Sequence, residues 1–92
     1  MIVALELRRR SDAVIYRFER CVIDAQVTWR RSDRDLYLTW RPSFGWGAWN
    51  GDELQGRPWA VPEPLQTQDI PPEGLWVSQK GAKSYCYDLV YL

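Results

Sequence analysis

The chain has no histidine, only two cysteines and no long apolar run. Each absence excludes a class of chemistry. Without imidazole there is no Ser-His or Cys-His nucleophile pair and no histidine-ligated metal centre. Two cysteines, Cys21 and Cys86, are too few for a disulfide framework or a thiolate zinc site. Both fall in alternating apolar runs, which predicts two buried, reduced thiols rather than a bridge. No stretch approaches the roughly 18 apolar residues of a membrane helix. The opening Met1-Ile-Val-Ala-Leu places apolar residues ahead of basic ones, the reverse of a secretory signal, so the expected location is cytoplasmic.

Net charge is also missing: 12 basic residues balance 12 acidic ones. A dedicated nucleic-acid binder usually carries a basic excess. The balance is uneven along the chain. Residues 1–41 hold nine arginines against six acids, and residues 42–92 hold three basic residues against six acids. Ten of the 12 basic residues are arginine, whose planar fork suits carboxylate or phosphate. Phosphate-loop spacing is absent, because the glycines of 45–51 lack a following Lys-Ser/Thr. Acids are scattered, and the one adjacent pair, Asp52-Glu53, reads as a solvated turn. No catalytic residue, metal or cofactor is expected.

Aromatic residues are abundant. Six Trp, five Tyr and two Phe in 92 residues supply the burial for one domain, 1–92, and argue against disorder. Alternation with period two marks strands at about 2–8, 13–19, 21–30, 35–41, 75–79 and 84–92. The apolar phase slips near Glu19-Arg20, so residues 13–30 form either one bulged strand or two strands with a turn at Glu19-Arg20 or Asp24-Ala25. Leu36, Leu38 and Trp40 share a face, which places Trp40 in the core. Trp76 lies opposite Leu75 and Val77 and is expected to matter less. Tyr85, Tyr87, Leu89 and Tyr91 share one face, and Gly81 suits a hairpin turn. Between Pro42 and Glu73 the period vanishes among six prolines and four glycines, so 42–73 reads as an irregular Trp/Gly/Pro-rich loop, with one helical turn allowed at 51–56. The fold class is all-β: about six antiparallel strands in a small barrel or sandwich.

Two features stand out as binding candidates. Trp46, Trp49 and Trp59 lie in the long loop, beside glycines that let a ring approach backbone. They either plug an open end of the barrel or form a contact surface, since Trp, Tyr and Arg dominate interface hot spots. The tetrapeptide Arg-Arg-Ser-Asp occurs at 9–12 and again at 30–33, a vestige of duplication or a coincidence. If residues 2–41 form a four-stranded meander, both tetrapeptides lie at one end of the sheet. Arg9, Arg10, Arg30 and Arg31 then gather into a basic patch, and the chain after Pro42 leaves from the opposite end. The expectation is a non-enzymatic protein-binding module, a small inhibitor or adaptor that occupies a partner's surface. The alternatives are a small β-barrel binding single-stranded nucleic acid or RNA through the Arg-rich half, and a structural subunit of a larger assembly or homo-oligomer. No membrane partner is expected.

Overall fold

The computed structural model describes residues 1–92, apart from the side chain of Lys80. Eight antiparallel strands run up and down in sequence order: β1 (Ala4–Arg9), β2 (Ile15–Ile23), β3 (Gln26–Arg31), β4 (Tyr37–Arg41), β5 (Gly45–Asn50), β6 (Glu53–Pro58), β7 (Gly74–Lys80) and β8 (Lys83–Tyr91). β8 returns to pair with β1, from Leu5↔Tyr91 to Arg9↔Tyr87, and closes the barrel. An antiparallel barrel has no free edge to protect. No helix in the described residues is long and apolar enough to cross a membrane.

The first four strands follow the alternation. Leu5, Leu7, Phe18, Trp29 and Leu38 are buried inside the barrel. Of the three readings open for residues 13–30, the structure has the turn at Asp24-Ala25, with no turn or bulge at Glu19-Arg20. β2 continues in register to Ile23, and the chain reverses at Asp24 and Ala25, both with positive φ of 53° and 63°. That is the left-handed pair a two-residue hairpin turn needs. Pairing of β2 with β1 stops at Ala4↔Glu19, so the far part of this hairpin lacks that neighbour. Val22 and Ile23 there are exposed, and apolar alternation no longer reports burial.

The segment 42–73 is not one irregular loop. It contributes β5 and β6, raising the strand count to eight. The helical turn allowed at 51–56 is instead a tight turn into β6. The only helical turn is 3-10, at Glu63–Leu65. Only residues 59–73 leave the barrel wall, and they cross the end where both termini lie. Pro71 is fully buried there.

Three further expectations are corrected. Trp76 is a core residue, 1% exposed, with its indole N–H donating to Pro72 O at 3.0 Å. Trp40, assigned to the core, is only half-buried; it packs edge-on against Trp46 with ring centroids 6.3 Å apart. The cysteines are free, as expected, but neither is buried: Cys21 is half-buried and Cys86 exposed. Both sit on outward positions, because in β2 and β8 the barrel interior takes Phe18, Tyr87 and Leu89.

Candidate functional site

The three loop tryptophans have three different fates. Trp46 points into the barrel and is fully buried. Its indole N–H donates to Thr67 O at 2.7 Å, and its backbone N–H donates to Gln66 Oε1 at 2.9 Å. Gly45 permits that second contact, since a Cβ there would sit 2.6 Å from Gln66 Oε1. Trp49 lies on the outer wall. Its indole nitrogen rests over Gly47, where a Cβ would meet it at 2.6 Å, and the Arg41 guanidinium covers its ring at 3.6 Å. Glycine therefore does let a ring lie on backbone, but the ring is then used up by the wall. Trp59 alone is open to solvent, at 59% exposure.

Trp59 is positioned by the end of β6. Residues 57 and 59 are two apart, which in extended chain places them on one face, and the Arg57 guanidinium lies 5.3 Å from the Trp59 ring centre. β6 ends at Pro58, which has no N–H for a ladder. β5 and β6 pair only from Ala48↔Gly56 outward. Where they part, a groove of about 270 Å³ opens between Phe44, Trp46, Pro58, Trp59 and Pro62, with Arg57 and Glu63 also lining it. Phe44 and Pro58 belong to the Trp-rich segment the sequence singles out; the sequence reading missed Arg57, Pro62 and Glu63. The Arg57-x-Trp59 spacing was the available signal.

The arginines gather as the meander requires. Turns 10–14 and 32–36 share one barrel end, and the chain after Pro42 leaves from the other. The resulting patch is largely neutralised. Arg9 grips Asp12 through two nitrogens at 2.8 and 2.6 Å. Arg10 grips Asp88 at 3.0 and 2.6 Å across the β1–β8 seam. Arg30 pairs with Asp35 at 2.7 Å, and Arg31 with Asp33 at 2.5 Å. Each of Asp12, Asp33 and Asp88 is held below the usual carboxylate range, chiefly by the hydrogen bond from its arginine. Asp12 and Tyr87 in turn hold Arg9 above its ordinary value.

No family model, curated protein or solved structure matches this chain.

The two tetrapeptides are not structural equivalents. In 9–12 the first arginine is half-buried and bonds the aspartate three residues on; in 30–33 it is the second arginine, bonding two residues on. Arg9 and Arg31 lie over tyrosines, 5.0 Å from the Tyr85 ring centre and 3.8 Å from that of Tyr16. A one-position offset reverses inside and outside on a strand. Coincidence explains the repeat better than duplication. Among the described residues of this end, Arg34 is the arginine with no carboxylate within 4.0 Å.

Proposed function

We propose that the protein is a non-enzymatic protein-binding module whose contact surface centres on Trp59. The observation that carries this reading is an indole left 59% exposed, beside a guanidinium and a groove walled by Phe44, Pro58 and Pro62. An exposed Trp flanked by Arg is the chemistry of an interface hot spot. Leu54, 38% exposed, lines the same outer surface as Trp59 and adds apolar area. The groove suits a partner's apolar side chain, with Arg57 and Glu63 available to a flanking acid and base. The charge balance of the arginine end supports a protein partner over nucleic acid. Four of the arginines there are already paired with carboxylates, which leaves few cations free for phosphate, and phosphate contacts supply most nucleic-acid affinity.

The test compares capture by the wild-type chain, Trp59→Ala and Arg10→Glu/Arg30→Glu, from a lysate of the native host with quantitative mass spectrometry. Trp59→Ala is expected to melt near wild type, because surface changes cost about 0.5 kcal/mol or less. It is expected to lose a stoichiometric protein partner by about 30-fold, the scale of a 2 kcal/mol hot spot. Retention by Trp59→Ala with loss in the arginine variant overturns the assignment and moves the site to the arginine end. A mass that rises with concentration and falls in Trp59→Ala identifies the partner as a second copy.

A further inference from the structure

The barrel is not filled evenly. Its interior holds Trp29, Trp46, Trp76 and Phe18, yet one level is built from small residues. Ala48, Gly56 and Ser78 are direct neighbours on β5, β6 and β7, through the pairs Ala48↔Gly56 and Gly56↔Ser78. Ala48 and Ser78 carry short side chains, while at Gly56 the strands press together: a Cβ there would sit 3.0 Å from Val77 O and 3.1 Å from Ser78 Cβ. A cavity of about 90 Å³ lies there, walled by Leu7, Phe18, Trp76 and Tyr87 and opening at the arginine end. The register of β6 shifts at this point, so that Gln55 is an extra residue between Leu54 and Gly56 and also reaches the cavity. Bulges of this kind recur beside binding sites.

One polar group at the cavity is not satisfied by the protein. Ser78 lines the wall, and its hydroxyl is shielded from solvent with no hydrogen-bond partner. Leaving such a group unpaired is costly, and an orphan in a native fold calls for a ligand or a water. The charged residues lining the cavity are Arg31 and Arg34, with no acid among the lining residues. Arg31 is committed to Asp33, whereas Arg34 has no carboxylate within 4.0 Å among the described residues. The site therefore combines an apolar pocket with the Arg34 guanidinium at its mouth.

We propose that this cavity binds a short apolar carboxylate, with a branched tail of three or four carbons inside and the carboxylate at Arg34. An eight-stranded barrel has an interior just wide enough to be filled by side chains or to hold one small ligand; here most levels are filled and one is left open. Size sets the tail. A cavity of about 150 Å³ accommodates benzene, or about 25 Å³ per carbon, so 90 Å³ takes an isopropyl or isobutyl group. Charge sets the head: Arg34 supplies a cation, and no acid lines the cavity to compete with a bound carboxylate. The same chemistry is offered by a free branched short-chain acid and by a peptide ending in valine or leucine with a free carboxylate. This site is separate from the Trp59 groove and does not depend on it.

The experiment titrates isovalerate into the full chain and follows backbone amide shifts by NMR. Its neutral isostere, isovaleramide, and an acetylated dipeptide ending in valine are titrated in parallel. Saturable shifts at Gly56 and Ser78 are expected with isovalerate, at a Kd on the order of 1 mM for a ligand this small. Isovaleramide and the exposed-site variant Arg34→Gln are each expected to bind about tenfold more weakly, the scale of one charge-assisted hydrogen bond. Ala48→Leu fills the space and is expected to abolish binding. Because Ala48→Leu can perturb folding, its melting temperature is measured, and Arg34→Gln carries the test alone if it unfolds. Tighter binding of the dipeptide than of isovalerate identifies a chain terminus as the source, and the reverse order identifies a free acid. Absence of saturable shifts overturns the proposal and leaves a water-filled cavity. Equal binding of acid and amide overturns it as well.

Discussion

The two ends of the barrel solve the same problem in opposite ways. One end is sealed by chain. Residues 59–73 fold across it, and the barrel's own donors reach out to hold them: the Trp46 indole to Thr67 O, the Trp76 indole to Pro72 O and the Tyr91 hydroxyl to Pro71 O. Proline carbonyls suit this role, since they accept hydrogen bonds while the rings bring apolar surface and no N–H that would need a partner. The other end has no such chain across it and is narrowed by side chains only. Arg9 and Arg31 lie across tyrosine rings and are pinned by Asp12 and Asp33. Hydrogen bonds to backbone hold one end shut, and charge pairs rim the other. A seal of buried hydrogen bonds is costly to break, whereas exposed ion pairs are worth little and yield to salt. The contrast places stability at the sealed end and leaves the arginine end free to admit a ligand.

The sharpest way to break the comparison is to remove the residue that joins barrel and cap. Trp46→Ala deletes a fully buried indole and its bond to Thr67. The expected loss is about 3–5 kcal/mol, out of a total of about 5–15 kcal/mol for a domain. Denaturant unfolding followed by circular dichroism measures it. A loss below that of an ordinary surface change would mean that the cap does not depend on Trp46.

A smaller effect isolates the cap from the core. Gln66→Ala leaves the barrel interior intact but strips Trp46 N–H of its acceptor and Val61 O of its donor. Gln66 stands in for a strand where β5 and β6 have parted. An orphaned buried N–H costs about 1–3 kcal/mol, or a fall in melting temperature of about 5–20 °C for a domain of this size. Hydrogen exchange is expected to rise at Trp46 while residues of β1 and β8 keep their protection. Uniform loss of protection would show that cap and barrel open as one unit.

The same contrast decides what was legible in the sequence. Where one face is apolar and the other polar, the strands could be read directly: Leu5 and Leu7, Tyr16 and Phe18, Leu36 and Leu38. β5 hid because both of its faces are apolar. Trp46 and Ala48 point in while Gly47 and Trp49 lie along the outside, so no period of two is visible. β6 hid for a different reason. Its register shift at Gln55 breaks the phase, and its inward residues Gly56 and Pro58 carry no strand signature. Trp76 was misread because Leu75, Trp76 and Val77 are all apolar, and alternation cannot say which face is inside. A signal did exist. The two-residue turn Gly81-Ala82 sets Trp76 opposite Tyr87, which already lay on the Tyr85–Leu89 face. The exposure of Trp59, and the cavity beside Ser78, arise from contacts between distant segments, which no local pattern records.

The smallest effect, and the finest comparison, is acid sensitivity. Asp12, Asp33 and Asp88 at the arginine end have carboxyls held below their ordinary range by Arg9, Arg31 and Arg10. Asp69 at the sealed end is also lowered, but by the Thr67 hydroxyl and backbone N–H groups rather than by a cation. In each case the folded value lies below the unfolded one. The stabilisation is therefore fully present above the unfolded value, near pH 4, and is lost as pH falls through the folded value. Salt separates the two ends. Pairing between exposed charges is screened at about 0.5 M salt, whereas short hydrogen bonds to neutral donors are not. The triple variant Asp12→Asn/Asp33→Asn/Asp88→Asn removes the charges and keeps an oxygen acceptor for Val14 N–H at position 12. Its melting temperature is expected to fall less than that of wild type between pH 6 and pH 2.5, by a few degrees at low salt, with the difference shrinking as salt is added. Asp69→Asn is expected to flatten the same profile slightly at every salt concentration. If the triple variant tracks wild type throughout that range, the arginine pairs contribute nothing measurable, and the open end is held by its tyrosines alone.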